Sequence, residues 1–163
     1  VNDEMFGEKE THGTVFRRAY EEGLIQPDKV YQVGLRGSGY AASDFTEAQG
    51  WGFQQFPAHE LWHRPLDKLG GEIRRDIGDR PVYITYDIDS LDPAYAPGTG
   101  TPEIGGLSTP QALQLIRALA GLDVVGCDLV EVSPPYDPSG NTALTGANLL
   151  YELLCILPGV TPH

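Results

Sequence analysis

Residues 81–86 (PVYITY) form an apolar, β-favouring run that stops abruptly at three carboxylates, Asp87, Asp89 and Asp92, spaced i, i+2 and i+5. Side chains alternate along a strand, so the pattern predicts Asp87 and Asp89 on one face and Ile88 on the other. Two carboxylates aligned in this way repel unless a cation or a proton lies between them. Just downstream, residues 96–106 (APGTGTPEIGG) make a Gly- and Pro-dense segment too long for a tight turn, and loops of this kind shape sites. The chain is thereby constrained to a sheet whose strand ends open onto a ligand-facing loop.

The remaining sequence alternates helix and strand. Residues 12–23 carry Val15, Phe16, Ala19 and Tyr20 at helical spacing, with Gly23 as the stop. Residues 29–35 (KVYQVGL) read as a buried strand that leads into Arg36, Gly37, Ser38, Gly39 and Tyr40, and residues 53–56 as a short strand. A helix within 59–77 is expected to be disturbed by Pro65 and by Gly70-Gly71. Residues 109–119 form an amphipathic helix, with Thr109 read as N-cap and Pro110 at the first helical position. A nearly continuous apolar strand over 124–132 (VVGCDLVEV) and a closing helix over 141–157 complete the pattern. Strands without two-face alternation, separated by helices, imply a parallel sheet covered on both sides, an α/β fold of three αβα layers occupying residues 1–163 as one domain. Ligands gather beyond the carboxyl ends of such strands, where Asp87, Asp89 and Glu131 fall.

A net charge of −12 argues against a nucleic-acid partner, which needs clustered Lys and Arg, and suits solubility or a small cationic ligand. No apolar run approaches the roughly 18 residues of a membrane span. The two cysteines, Cys127 and Cys155, both lie in apolar runs and read as small hydrophobes in a reducing, cytoplasmic setting.

Asp87 and Asp89 suit a hard or borderline divalent cation such as Mg²⁺, Mn²⁺ or Ca²⁺, or else a turn-capping cluster, the role given to Asp92 before Pro93. A calcium loop of EF-hand type fails, because the twelfth position, where a bidentate Glu belongs, is Gly98. An Asp-x-Asp phosphotransferase of haloacid-dehalogenase type needs a downstream lysine, whereas Lys9, Lys29 and Lys68 all lie upstream. His59-Glu60-Leu61-Trp62-His63 matches a zinc-protease pattern, but Pro65 interrupts the helix that would present both histidines. Glu131, closing an apolar strand, must be paired, solvated or used.

Tyr86 to Pro102 (YDIDSLDPAYAPGTGTP) resembles the signature of the ureohydrolases, the arginase and agmatinase family. Residues 126–137 (GCDLVEVSPPYD) with Asn141-Thr142-Ala143, and Met5-Phe6-Gly7-Glu8-Lys9 through His12 to Arg18, are more similar to the agmatinase-like branch than to arginases. The resemblance implies hydrolysis of a guanidino compound, agmatine or a guanidino acid such as 4-guanidinobutyrate, to urea and an amine by a hydroxide held between two Mn²⁺ ions. It implies Asp87 as bridging metal ligand and Asp89 as ligand of the second ion. The catalytic set becomes His12, Asp89 and Glu131, with Glu131 pairing with the substrate guanidinium and His12 moving a proton near the leaving amine. A small cationic substrate and a homo-oligomer, trimer or hexamer, are likewise implied.

The family's Gly-Gly-Asp-His and Asp-Ala-His-x-Asp segments do not occur in this sequence. The expectation is therefore the C-terminal portion of a ureohydrolase domain, with the first strands of the sheet absent, binding two metals poorly by itself. The rival expectation is a non-catalytic ureohydrolase-like fragment that serves as a binding or assembly module.

Overall fold

The computed structural model describes residues 1–39 and 42–161, without the side chains of Ala42 and Phe45. Tyr40, named above with the loop after the first strand, lies outside the described residues. The chain divides into two compact units, one of residues 1–32 and 37–56, the other of residues 33–36 and 57–163.

The first unit contains helix α1 (Val15–Glu21) and the short helix α2 (Glu47–Gly50). Thr14, fully buried ahead of α1, donates to the Lys9 carbonyl (2.8 Å) and accepts from the Thr11 amide (2.9 Å). Gly23, at φ 68°, ends the helix as expected, with the Leu24 amide reaching the Ala19 carbonyl at 2.9 Å, a Schellman closure. Tyr20 stacks on Trp51 (centroids 4.6 Å apart), and the Arg17 guanidinium lies over the Trp51 ring at 4.9 Å. Strands β1 (Tyr31–Leu35) and β2 (Gln54–Pro57) have Tyr31-Gln32 and residues 54–56 in this unit, the rest of each belonging to the other. The strand starts at Tyr31 rather than residue 29, because Pro27–Lys29 closes a 3₁₀ turn for which proline is preset.

The second unit holds the short helix α3 (Ala58–Leu61), helix α4 (Leu66–Ile77), strand β3 (Pro81–Asp87), helix α5 (Thr109–Ala118), strand β4 (Asp123–Val130) and helix α6 (Asn141–Cys155). Strands β3 and β4 run parallel, with Thr85 opposite Asp128 and Asp87 opposite Val130. The expected break at Pro65 is present. Gly70-Gly71, however, does not interrupt α4: a Cβ on Gly70 would sit 2.5 Å from Ala118 Cβ, so this glycine lets α4 and α5 approach closely. Leu66, Leu69, Ile73 and Ile77 form the buried stripe of α4. The N-cap of α5 is Ser108, not Thr109: Ser108 and Gln111 exchange side-chain and backbone hydrogen bonds as a capping box.

Burial along β3 alternates. Tyr86 is buried, whereas Tyr83, Thr85 and Asp87 are exposed, so one face of this strand is open rather than both being covered. On that open face the Asp128 carboxylate accepts from Tyr83 (2.8 Å) and Thr85 (2.6 Å). On the covered face Leu129 and Val132 meet α6 at Gly146. Cys127 and Cys155 are both free thiols. Among the described residues no helix is long and apolar enough to cross a membrane.

Candidate metal and substrate site

β3 ends at Asp87, and Ile88–Ser90 turns away as a single 3₁₀ turn anchored by the fully buried Ile88. The pleat therefore stops before Asp89, and a local turn replaces strand alternation as the device that brings the two carboxylates together. Asp87 Oδ1 accepts the Asp89 amide at 3.0 Å, the geometry of an Asx turn. The second carboxylate is held from outside, since the Thr101 hydroxyl in the 96–106 loop donates to Asp89 Oδ2 at 2.8 Å.

Glu131 follows β4 directly, one residue beyond the position opposite Asp87. Its φ is 66°, left-handed backbone that a non-glycine residue adopts at a cost of about 1–2 kcal/mol. Strain of this kind gathers where a side chain has to be aimed. Removal of water around the carboxyl group, then the charge of Asp89 and that of Glu131, pushes Asp87 up to about 7. Asp87 lies on the open sheet face, where the Asp89 and Glu131 carboxylates add to that upward push.

Neighbouring groups are committed to structure. The Arg36 guanidinium donates through Nη2 to the carbonyls of Asp89 (2.6 Å), Leu91 (3.1 Å) and Glu103 (2.7 Å), and through Nε to Glu103 (3.1 Å). The sequence offers the loop over residues 36–50, with Arg36, Ser38 and Tyr40, as a candidate for meeting the far end of the substrate, and in the structure the Arg36 donors face backbone carbonyls instead. Asp92 takes the turn role expected of it, accepting the amides of Ala94 (2.9 Å), Gly105 (2.8 Å) and Gly106 (3.3 Å), and these bonds hold its carboxyl below the usual carboxylate range.

The His59–His63 pattern does not lie on one helix: α3 ends at Leu61, and the exposed Trp62 donates its indole N–H to the Gly105 carbonyl at 2.9 Å. His12 belongs to the first unit, where it is exposed ahead of α1. The structure thus brings Asp87, Asp89 and Glu131 to one pair of strand ends, and His12 is described within its own unit. Sequence reasoning missed Thr101. Its position within a Gly-Thr-Gly-Thr-Pro run carries no signal of which side chain turns toward Asp89.

The donor chemistry fits a hard dication, since the Asp87 and Asp89 carboxylates meet at the end of β3, an arrangement that a cation between them would relieve. They provide only part of a coordination sphere, which for such ions takes about six or more oxygens. Among the described residues no group of three or more His, Cys, Asp and Glu is placed to hold a metal.

The model of the arginase family matches residues 1–155, and the chain belongs to that family. It is 61% identical over 160 residues to a guanidinobutyrase of Pseudomonas aeruginosa, covering 98% of this chain and 50% of that protein. It is 58% identical over 160 residues to a mitochondrial agmatinase of Gallus gallus, covering 98% of this chain and 47% of that one. Among solved structures, the proclavaminate amidino hydrolase of Streptomyces clavuligerus superposes with a TM-score of 0.87 at 40% identity, over 94% of this chain and 51% of that chain. The chain spans about half the length of the curated relatives it matches. The arginase-like α/β fold, with parallel strands and helices, is shared with that structure.

Proposed function

We propose that the protein carrying this chain hydrolyses a guanidino compound, agmatine or a guanidino acid such as 4-guanidinobutyrate, to urea and an amine, using a pair of Mn²⁺ ions. The observation that carries the reading is the placement of Asp87 and Asp89 at the end of β3, with Glu131 just past the end of the neighbouring β4, in a member of the arginase family. The names of the relatives support the substrate class, guanidinobutyrase and agmatinase both acting on guanidino groups.

In this reading Asp87 and Asp89 would hold the two ions, which would supply a nucleophile near neutral pH and stabilise developing negative charge. The Glu131 carboxylate pairs with the planar guanidinium and orients its carbon toward the Asp87–Asp89 side. Water adds to that carbon, the C–N bond to the substrate amine breaks, and His12 delivers the proton that the departing amine needs. Protons compete with metal for the Asp87 carboxylate, whose pKa is pushed up to about 7, so acidic solution opposes loading. We further read the protein as a homo-oligomer, trimer or hexamer by family resemblance, and as cytoplasmic.

Urea release from agmatine and from 4-guanidinobutyrate, assayed with Mn²⁺ present on the full-length protein, tests the proposal. Urea from at least one substrate supports it. Metal loading without urea from any guanidino compound would favour a binding module instead.

A further inference from the structure

Asp89 lies in a turn, so neither helix nor sheet fixes its side chain, and the 96–106 loop does so instead. That loop is clamped on both sides of Thr101. On one side, Gly98 is held through both backbone groups: its amide donates to Thr142 Oγ1 (2.8 Å) and its carbonyl accepts from the Ser133 amide (2.7 Å). A Cβ at Gly98 would fall 2.7 Å from Asp137 Cβ and 2.9 Å from Thr142 Oγ1, so the contact excludes any side chain. The Thr142 hydroxyl is used twice, since it also donates to Asp137 Oδ2 at 2.8 Å. The buried Asp137 carboxylate further accepts from the Thr142 amide (2.7 Å), from the Ser139 amide (3.1 Å) and from the Ser139 hydroxyl. On the other side of Thr101, Arg36 holds the Glu103 carbonyl and Asp92 holds the Gly105 and Gly106 amides.

We infer that Thr101 is a positioning residue for Asp89, and that the Asp137–Thr142–Gly98 clasp seats it. Between two clamps the loop has little freedom, so the hydroxyl is presented to the carboxylate before any ligand arrives. Partners that orient a metal-binding carboxylate contribute strongly to affinity, and their loss typically costs about 10–100-fold. The inference rests on the reading of Asp89 as a metal ligand only for its effect on metal affinity. The geometric claim stands apart from that reading.

The test uses Thr101→Val and Thr101→Ser in the full-length protein, with Mn²⁺ binding followed by isothermal titration. Thr101→Val should weaken binding by about 10-fold or more, and Thr101→Ser, which keeps the hydroxyl, should return it to within a few-fold of wild type. Wild-type affinity in Thr101→Val would overturn the inference. A crystal structure of metal-free Thr101→Val separates the two claims. An Asp89 carboxylate turned from its wild-type place supports the positioning role even if the wild-type protein binds no Mn²⁺, which would defeat the metal reading alone. A carboxylate left in place without the hydroxyl overturns the positioning role.

Discussion

At the scale of single residues, carboxylates with opposite environments divide the work. Asp137 accepts hydrogen bonds from the Ser139 hydroxyl and from the Thr142 amide and hydroxyl, which hold it down at about 2. A carboxyl group more acidic in the folded than in the unfolded chain, where it titrates near 3.8, contributes stability that is complete above that value and lost as pH falls toward 2. Asp137→Asn should therefore lower the denaturant midpoint near neutral pH, and the gap from wild type should narrow on acidification through about pH 4 to 2. A gap unchanged across that window would show that the Asp137 charge is not what the clasp uses. Glu131 is a different case, a residue in left-handed backbone to which the proposed function gives the substrate guanidinium. Glu131→Gly relieves a left-handed cost of about 1–2 kcal/mol, against about 0.5–1 kcal/mol for added chain freedom. Chemical denaturation should accordingly find stability equal to wild type or up to about 1.5 kcal/mol higher, while urea release is lost. A clear fall in stability would mean that Glu131 is structural. Asp87, Asp89 and Glu131 were legible in the sequence because an apolar strand that ends in acid is unusual. Thr101 was not, since its partner is chosen by how the loop is clamped and not by its neighbours.

At the scale of elements, helices α4 and α5 show where local propensity decides and where packing overrides it. The adjacent glycines of α4 read alike in sequence, yet Gly70 meets Ala118 whereas nothing lies within 4 Å of a Cβ at Gly71. Gly70→Ala should cost about 1–3 kcal/mol through overpacking, and Gly71→Ala should gain about 0.5–1 kcal/mol through helix propensity. Thermal melts of the two variants that move together would contradict this account of the α4–α5 contact. The start of α5 was read one residue late because Ser108 and Thr109 are both good caps. Gln111, three residues after Ser108, is the signal that decides between them. Ser108→Ala should cost about 1 kcal/mol, with Thr109→Ala close to neutral in the same denaturation assay. The link between Gly98 and Thr142 joins residues 44 apart, and no local pattern announces it.

At the scale of the whole molecule, the α/β class and the parallel strands followed from the alternation of helix and strand. The open face of β3 did not, because apolar and polar residues that alternate weakly in sequence, Tyr83 and Thr85 among them, alternate fully in exposure. Asp128 accounts for part of that face by turning Tyr83 and Thr85 toward itself, a pairing across two strands that only the register reveals. Family membership extends over residues 1–155, so His12 in the first unit and the carboxylates in the second belong to one matched region. The central claim is that Asp87 and Asp89 hold metal. It is tested most directly by an anomalous difference map at the manganese edge from Mn²⁺-soaked crystals of the full-length protein, alongside its Asp87→Ala variant. The account predicts density against both carboxylates in the wild type and its loss in the variant. Density elsewhere, or retained unchanged without the Asp87 carboxylate, would contradict it.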